Sequence, residues 1–307
     1  MHSFVVGPEA FDIVVVEGKD AERFLQGQLT CDVAAIADNH WALGSCCNNK
    51  GRVLATFVLV RRADSFRLCM THGTGELLLA ALKKFLPFYK CTMQLLADSH
   101  CLYGLAGSAA EQQRAHLQGQ PEGTSLLLPA DGSGNWLCWL GGRTPRALLW
   151  ASATDTAIPS PSASLDQWEA LGLLQGQYPF HAQDSGEYTP QELQLDQNGY
   201  VSFTKGCYTG QEIVARLHYR GKPKKQLFLL QLTARPLDQH REVTDADGQV
   251  VGSLLLCRPL GGTWLALVQL PAGYASPFGQ LRCDVATATA GCAFEATVIQ
   301  LSSLIFP

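Results

Sequence analysis

The segment Lys205-Gly206-Cys207-Tyr208-Thr209-Gly210-Gln211-Glu212 places one cysteine between glycines where strand-like sequence gives way to helix-like sequence. Tyr200-Val201-Ser202-Phe203 has the β-branched and aromatic content of a strand, and Ile213, Val214 and Leu217 recur at helical spacing. Thr209 and Glu212 have the Thr-x-x-Glu spacing of a capping box, which predicts a helix starting just after the cysteine. A thiol there feels the positive end of the helix dipole, and Lys205, Arg216 and Arg220 add positive charge, so the reactive thiolate is favoured. Cys207 is therefore the candidate for sulfur chemistry, with Lys205 beside it; the other ten cysteines read as small buried hydrophobes. Capping alone accounts for Glu212.

The elements that must hold this loop are legible upstream. Ile13-Val14-Val15-Val16 reads as a strand, followed by a short helix through Phe24 and Leu25 with Asp20 as its cap. Val53 to Arg61 and Phe66 to Met70 read as strands. Leu78, Leu79, Leu82, Phe85 and Leu86 predict a helix from Glu76 to Phe88, with Pro87 marking its end. Ala151 to Ser164, rich in Ala, Ser, Thr and Pro, reads as a loop, and a helix resumes from Leu165 to Leu174. Beyond Lys225 come short strand-like runs, Gln226 to Leu232, Gln249 to Leu256 and Thr263 to Val268, with a turn at Asp245-Ala246-Asp247-Gly248.

Of the 307 residues 47% are hydrophobic and 16% charged, and the net charge is -4, which fits a compact protein and not a nucleic-acid specialist. No apolar run approaches the roughly 20 residues of a membrane span, and Met1-His2-Ser3-Phe4 does not open a secretory leader, so a cytoplasmic chain is expected. Eleven cysteines without Cys-x-x-Cys and eight scattered histidines signal neither a disulfide framework nor a metal site.

The run Val201 to Arg216, followed by Tyr219-Arg220-Gly221, resembles the signature of the YgfZ family of folate-binding proteins. That family is related to the glycine-cleavage aminomethyltransferase and to the mitochondrial iron-sulfur assembly factor of the same superfamily. Further matching segments are Gly18 to Ala21, Phe24 to Thr30, Lys50 to Leu54 and Pro190 to Leu193. The resemblance implies an α+β fold: an aminomethyltransferase-like folate-binding body of two intertwined α+β subdomains over residues 1–225, and a small C-terminal β-barrel over 226–307. It implies tetrahydrofolate as cofactor. On the matched segments Gln28, Thr30, Tyr200, Arg216 and Arg220, with Gly206, Tyr208, Gln211 and Glu212 of the loop, are the candidate folate-binding residues, and no metal site is expected.

Two positions differ from the transferase. Its Gly-Gly-Ile-Leu-Asp-Asp run corresponds to Gly51-Arg52-Val53-Leu54-Ala55-Thr56, so the catalytic Asp position holds Ala55 or Thr56 and aminomethyl transfer is not expected. Its Arg-Leu-Glu-Ala-Gly, whose Glu holds the pterin, corresponds to Gly172 to Gly176 and puts Leu174 at the Glu; Glu169 lies five residues earlier, too far along a helix to substitute without a shift in alignment. The leading expectation is a folate-binding accessory protein for assembly or repair of iron-sulfur enzymes, with tRNA-modifying radical enzymes as clients. Alternatives are a folate-dependent one-carbon transferase using another base, and an RNA-binding module built on Arg220, Lys222, Lys224 and Lys225, against which the mild acidity of the chain argues.

Overall fold

A computed structural model describes residues 3–96, 100–114, 125–127, 135–152, 160–221, 224–232, 235, 242–245, 247–274 and 298–299. The fold is α+β, and the described residues build three antiparallel sheets of five strands each. The strands are β1 (Phe4–Val6), β2 (Phe11–Glu17), β3 (Trp41–Cys47), β4 (Val53–Arg62), β5 (Ser65–Thr71), β6 (Thr92–Leu95), β7 (His100–Ala106), β8 (Ser125–Leu127), β9 (Trp136–Gly141), β10 (Arg146–Ser152), β11 (Lys225–Leu232), β12 (Glu242–Thr244), β13 (Val250–Leu260), β14 (Thr263–Pro271) and β15 (Val298–Ile299). The helices are α1 (Ala21–Gln26), α2 (Thr74–Leu82), α3 (Ser108–Arg114), α4 (Leu165–Leu173) and α5 (Gln211–Arg220).

The first sheet runs β3-β4-β5-β2-β6 and the second β1-β7-β10-β9-β8. The chain therefore starts in the second sheet, leaves it for all of the first, and returns at β7; this is the intertwining the resemblance implied. The unbroken apolar run of β2 follows from burial on both faces. Val14 and Val16 pack with Phe24, Leu25 and Leu78 of α1 and α2, while Ile13 and Val15 pack toward Leu102, Leu148 and Trp150 of the second sheet. The far face of the second sheet is closed by Ala110 of α3. The third sheet, β12-β13-β14-β11-β15, puts Leu227, Leu229, Leu265 and Leu267 into a core shared with Ala170, Tyr200 and Val214, and Phe228, Leu230 and Val268 into a core of its own. Residues 275–297, part of the expected barrel, lie outside the described residues.

Several local expectations need correction. Tyr200 to Phe203 is not a strand but irregular chain. The helix expected over 76–88 is α only to Leu82 and continues as a 3-10 segment, Lys83–Phe88, that contains Pro87. Asp20 precedes α1 but makes no side-chain cap; its carboxylate accepts instead from the Lys90 amide at 2.7 Å. The loop expected from Ala151 begins later, since β10 runs to Ser152, and residues 153–159 lie outside the described residues. No described helix is long and apolar enough to cross a membrane.

Candidate functional site

The segment carrying the cysteine is shaped by the turn after α1. Lys205 is 8% exposed, and its ammonium donates to the carbonyl oxygens of Gln26, Leu29 and Cys31 at 2.8, 2.7 and 2.8 Å. Burial lowers its pKa to about 8. Thr209 Oγ1 donates to Gln28 Oε1 at 3.0 Å, the Thr209 amide to Gly27 O, and the Ser202 amide to Thr30 O. Thr30 Oγ1 lies 2.6 Å from the Tyr200 carbonyl, to which it donates. Gln28, Thr30, Lys205 and Thr209 thus form one constellation, and its polar atoms bond to one another and to backbone.

The capping box expected at Thr209 does not form. Gly210 occupies the cap position with φ 86°, and α5 starts at Gln211. The reason is tertiary: the Thr209 hydroxyl has Gln28 as its acceptor, and Gly210 fits against Asn48 O, which an added Cβ would approach to 2.4 Å. Cys207 and Gly206 are left exposed at the tip, and Tyr208 turns inward, 7% exposed, its phenol pushed up by burial. Cys207 is the one exposed cysteine among the described residues; Cys31, Cys46, Cys47, Cys69 and Cys138 are buried, and burial raises the thiols of Cys31, Cys46 and Cys69 to about 12. On α5 Glu212, Arg216 and Arg220 are exposed and Gln211 is half-buried. His218 stacks on Phe203 with ring centroids 3.7 Å apart. Of the basic cluster, Arg220, Lys224 and Lys225 are exposed, and Lys222 lies outside the described residues.

A separate cleft opens between the first two sheets and α4, about 630 Å³ counted out to its mouth. Thr56 and Val58 of β4, Trp168 and Glu169 of α4, Arg146 of β10 and Tyr200 line it. Tyr200 joins cleft to loop, since its ring lines the one while its carbonyl holds Thr30 of the other. Of the two residues at the transferase's Asp position, Thr56 borders the cleft, whereas Ala55 points into the core beneath. Leu174 caps the end of α4 and packs with apolar neighbours.

The cleft's charges were not expected from the sequence. Glu169, 4% exposed, accepts from Arg258 Nε through Oε2, and Oε1 lies 2.9 Å from His181 Nε2. That hydrogen bond raises the His181 pKa above its ordinary 6.5, against the opposing effect of burial. Arg146 is 1% exposed and donates to Gln175 and Gln177; burial lowers its pKa to about 10, so it stays charged at neutral pH. The signals were faint: one arginine opening the apolar run Arg146-Ala147-Leu148-Leu149-Trp150, and one carboxylate on the buried side of an amphipathic helix. Both gain meaning only from partners far away in sequence.

A slot with aromatic walls and few charged groups suits a flat heterocycle with hydrogen-bonding edges. The donor set fits a folate ring: Trp168, Phe57 and Tyr178 offer apolar surface, and Arg146 and Glu169 offer a donor and an acceptor.

The family model for the GCVT N-terminal domain matches residues 6–121. A solved structure of the glycine cleavage system aminomethyltransferase T from Bartonella henselae superposes with a TM-score of 0.69 over 93% of this chain and 82% of its own, at 18% identity, which establishes the likeness of fold. The tRNA-modifying protein YgfZ of Colwellia psychrerythraea is 32% identical over 233 residues, 74% of this chain and 71% of that protein. Its namesake from Escherichia coli O157:H7 is 33% identical over 240 residues, covering 75% and 72%. With identity at this level spread over more than two thirds of those relatives, the chain belongs to the YgfZ family.

Proposed function

We propose that this protein binds tetrahydrofolate in the cleft and acts in the cytoplasm as an accessory factor for assembly or repair of iron-sulfur enzymes, among them radical enzymes that modify tRNA. The observation that carries the proposal is Cys207, an exposed thiol on a loop fastened by Lys205 and Thr209 and rooted through Thr30 and Tyr200 in the cleft. A thiolate held this way can attack a disulfide of a client, forming a transient mixed disulfide as the S–S bond breaks and the client's other sulfur leaves as thiolate. The name of the relatives, tRNA-modifying protein, supports the client class. Folate, when bound, supplies one-carbon or redox chemistry of its own; this chain's part is to hold the ring and exclude water.

The alternative of a one-carbon transferase has less support. A base is needed on the cleft, and the carboxylate present, Glu169, is neutralised by Arg258 and faces His181. Two measurements test the proposal. Anaerobic calorimetry with tetrahydrofolate is expected to show specific binding. In a strain lacking the gene, Cys207→Ala is expected to fold and bind folate yet leave the tRNA-modifying clients at reduced activity. Full rescue by Cys207→Ala would remove the thiol from the mechanism, and absence of folate binding near millimolar ligand would remove the cofactor.

A further inference from the structure

The face of the first sheet that α1 and α2 cover lies away from the cleft, and its outer surface carries a local charge opposite to the chain's total. After α2 the 3-10 segment Lys83–Phe88 is tied down by Phe85, Leu86 and the following Tyr89, which pack on the core beneath. Phe88 is turned outward and is 80% exposed. Around it stand five exposed cations, Lys83, Lys84 and Lys90 on this stretch and Lys19 and Arg23 at α1. Direct contacts hold the two stretches together. The Lys90 amide donates to Asp20 Oδ2 at 2.7 Å, Gly18 lies so close to the Lys90 carbonyl that an added Cβ would approach it to 2.6 Å, and Arg23 Cζ sits 5.9 Å over the Tyr89 ring.

Among the described residues none of the five cations makes an ion pair. The neighbouring carboxylates are engaged elsewhere, Asp20 with the Lys90 amide and Glu22 with Arg61 at 2.7 Å. Glu76, in the first turn of α2, precedes Lys83 by about two helical turns. A single exposed ring is ordinary on a protein surface, but five unpaired cations gathered around it in a chain of net charge -4 are not. Like charges held together repel until an anion arrives.

The chemistry of the patch selects among anionic partners. An interfacial membrane contact needs a broad apolar face, and here Phe88 and Pro87 alone stand out on a short segment. Protein interfaces are poor in Lys, and four of these five cations are Lys. A single-stranded polynucleotide needs what is present, a ring for a base to stack on and flexible point charges for the phosphates on either side.

We propose that this patch binds a single-stranded segment of RNA, with one base stacked on Phe88 and the flanking phosphates met by Lys19, Arg23, Lys84 and Lys90. RNA is chosen among polynucleotides on the client class proposed above; the surface itself depends neither on the folate cleft nor on Cys207. It is built from other residues than the Arg220, Lys224 and Lys225 cluster at the end of α5.

Fluorescence anisotropy of the full chain with a labelled single-stranded RNA of about ten nucleotides tests the assignment. Plotted as logarithms, affinity against salt is expected to fall with a slope near about -3, the effect of about four neutralised phosphates. Phe88→Ala is expected to weaken binding at least about fivefold and leave the slope unchanged, while Lys84→Gln with Lys90→Gln makes the slope shallower by about 1.4. Lys224→Gln with Lys225→Gln is the control, expected to bind within about twofold of wild type. These positions are exposed, so all the variants are expected to melt like wild type, and the wild-type salt slope decides should one not fold. Absence of binding at low salt, wild-type affinity in folded Phe88→Ala, or a loss confined to the control overturns the assignment and leaves the folate reading standing. Co-sedimentation with phosphatidylserine vesicles, or binding of polyglutamate, without binding of RNA overturns it in favour of a lipid surface or an acidic protein.

Discussion

At Lys205 a single ammonium meets the carbonyl oxygens of Gln26, Leu29 and Cys31 in the turn that follows α1. Replacing it by methionine keeps the stem but leaves those carbonyls without a donor, and is expected to lower the unfolding free energy by about 3 kcal/mol, read from urea melts. The same residue shows how a sequence pattern can mislead: Lys205 stands next to Cys207 in the motif, yet its charge is directed into the α1 turn. His181 gives a pH-dependent outcome. Its pKa is raised above 6.5 by Glu169, so the stability it contributes is fully present below pH 6.5 and is lost as the pH rises through the elevated value. The advantage of wild type over His181→Gln in urea melts is therefore expected to be larger at pH 5.5 than at pH 8.5. An advantage that grows with pH would contradict the pairing.

Among the elements, the β3–β4 turn and the start of α5 form one contact. Gly210 at φ 86° and Gly51 at φ 69° meet so closely that a Cβ on Gly210 would lie 3.3 Å from the Gly51 Cα and 2.4 Å from Asn48 O. Gly210→Ala combines left-handed strain with that overlap, and a loss of about 2 kcal/mol or more is expected in thermal or urea melts. This contact also explains what the sequence could and could not reveal. The runs that became β2, β4 and β5 were legible because β-branched residues buried on sheet faces leave a local imprint. α4 was legible by its spacing, and Ser164 and Gln167 form its capping box. Thr209 and Glu212 have equally good local spacing, but the acceptor that claims Thr209 sits at Gln28, beyond the reach of any local pattern. The cleft was hidden for the same reason: Arg146, Glu169 and Arg258 come from three distant segments.

For the whole molecule, the third sheet is attached by packing and by charge. Its inner leucines share a core with α4 and Tyr200, and Arg258 of β13 reaches Asp166 at 3.3 Å as well as Glu169. Arg258→Ala would strand a buried carboxylate and is expected to cost about 3 kcal/mol, whereas the double change Arg258→Leu with Glu169→Leu should cost clearly less. Comparison of the two variants in urea separates charge burial from loss of the interface, and a double variant as unstable as the single one would refute the first. The opening strand carries a different consequence. Phe4–Val6 pairs with Gly104–Ala106 on one edge and meets Ser162 and Ala163 on the other, while every described strand of the first sheet lies between residues 11 and 95. On the ribosome that sheet can close before β7 has been synthesised, so Phe4–Val6 waits for about a hundred further residues before it finds a partner. A bulky N-terminal fusion would burden this late pairing, and a tag at the other end would leave it free.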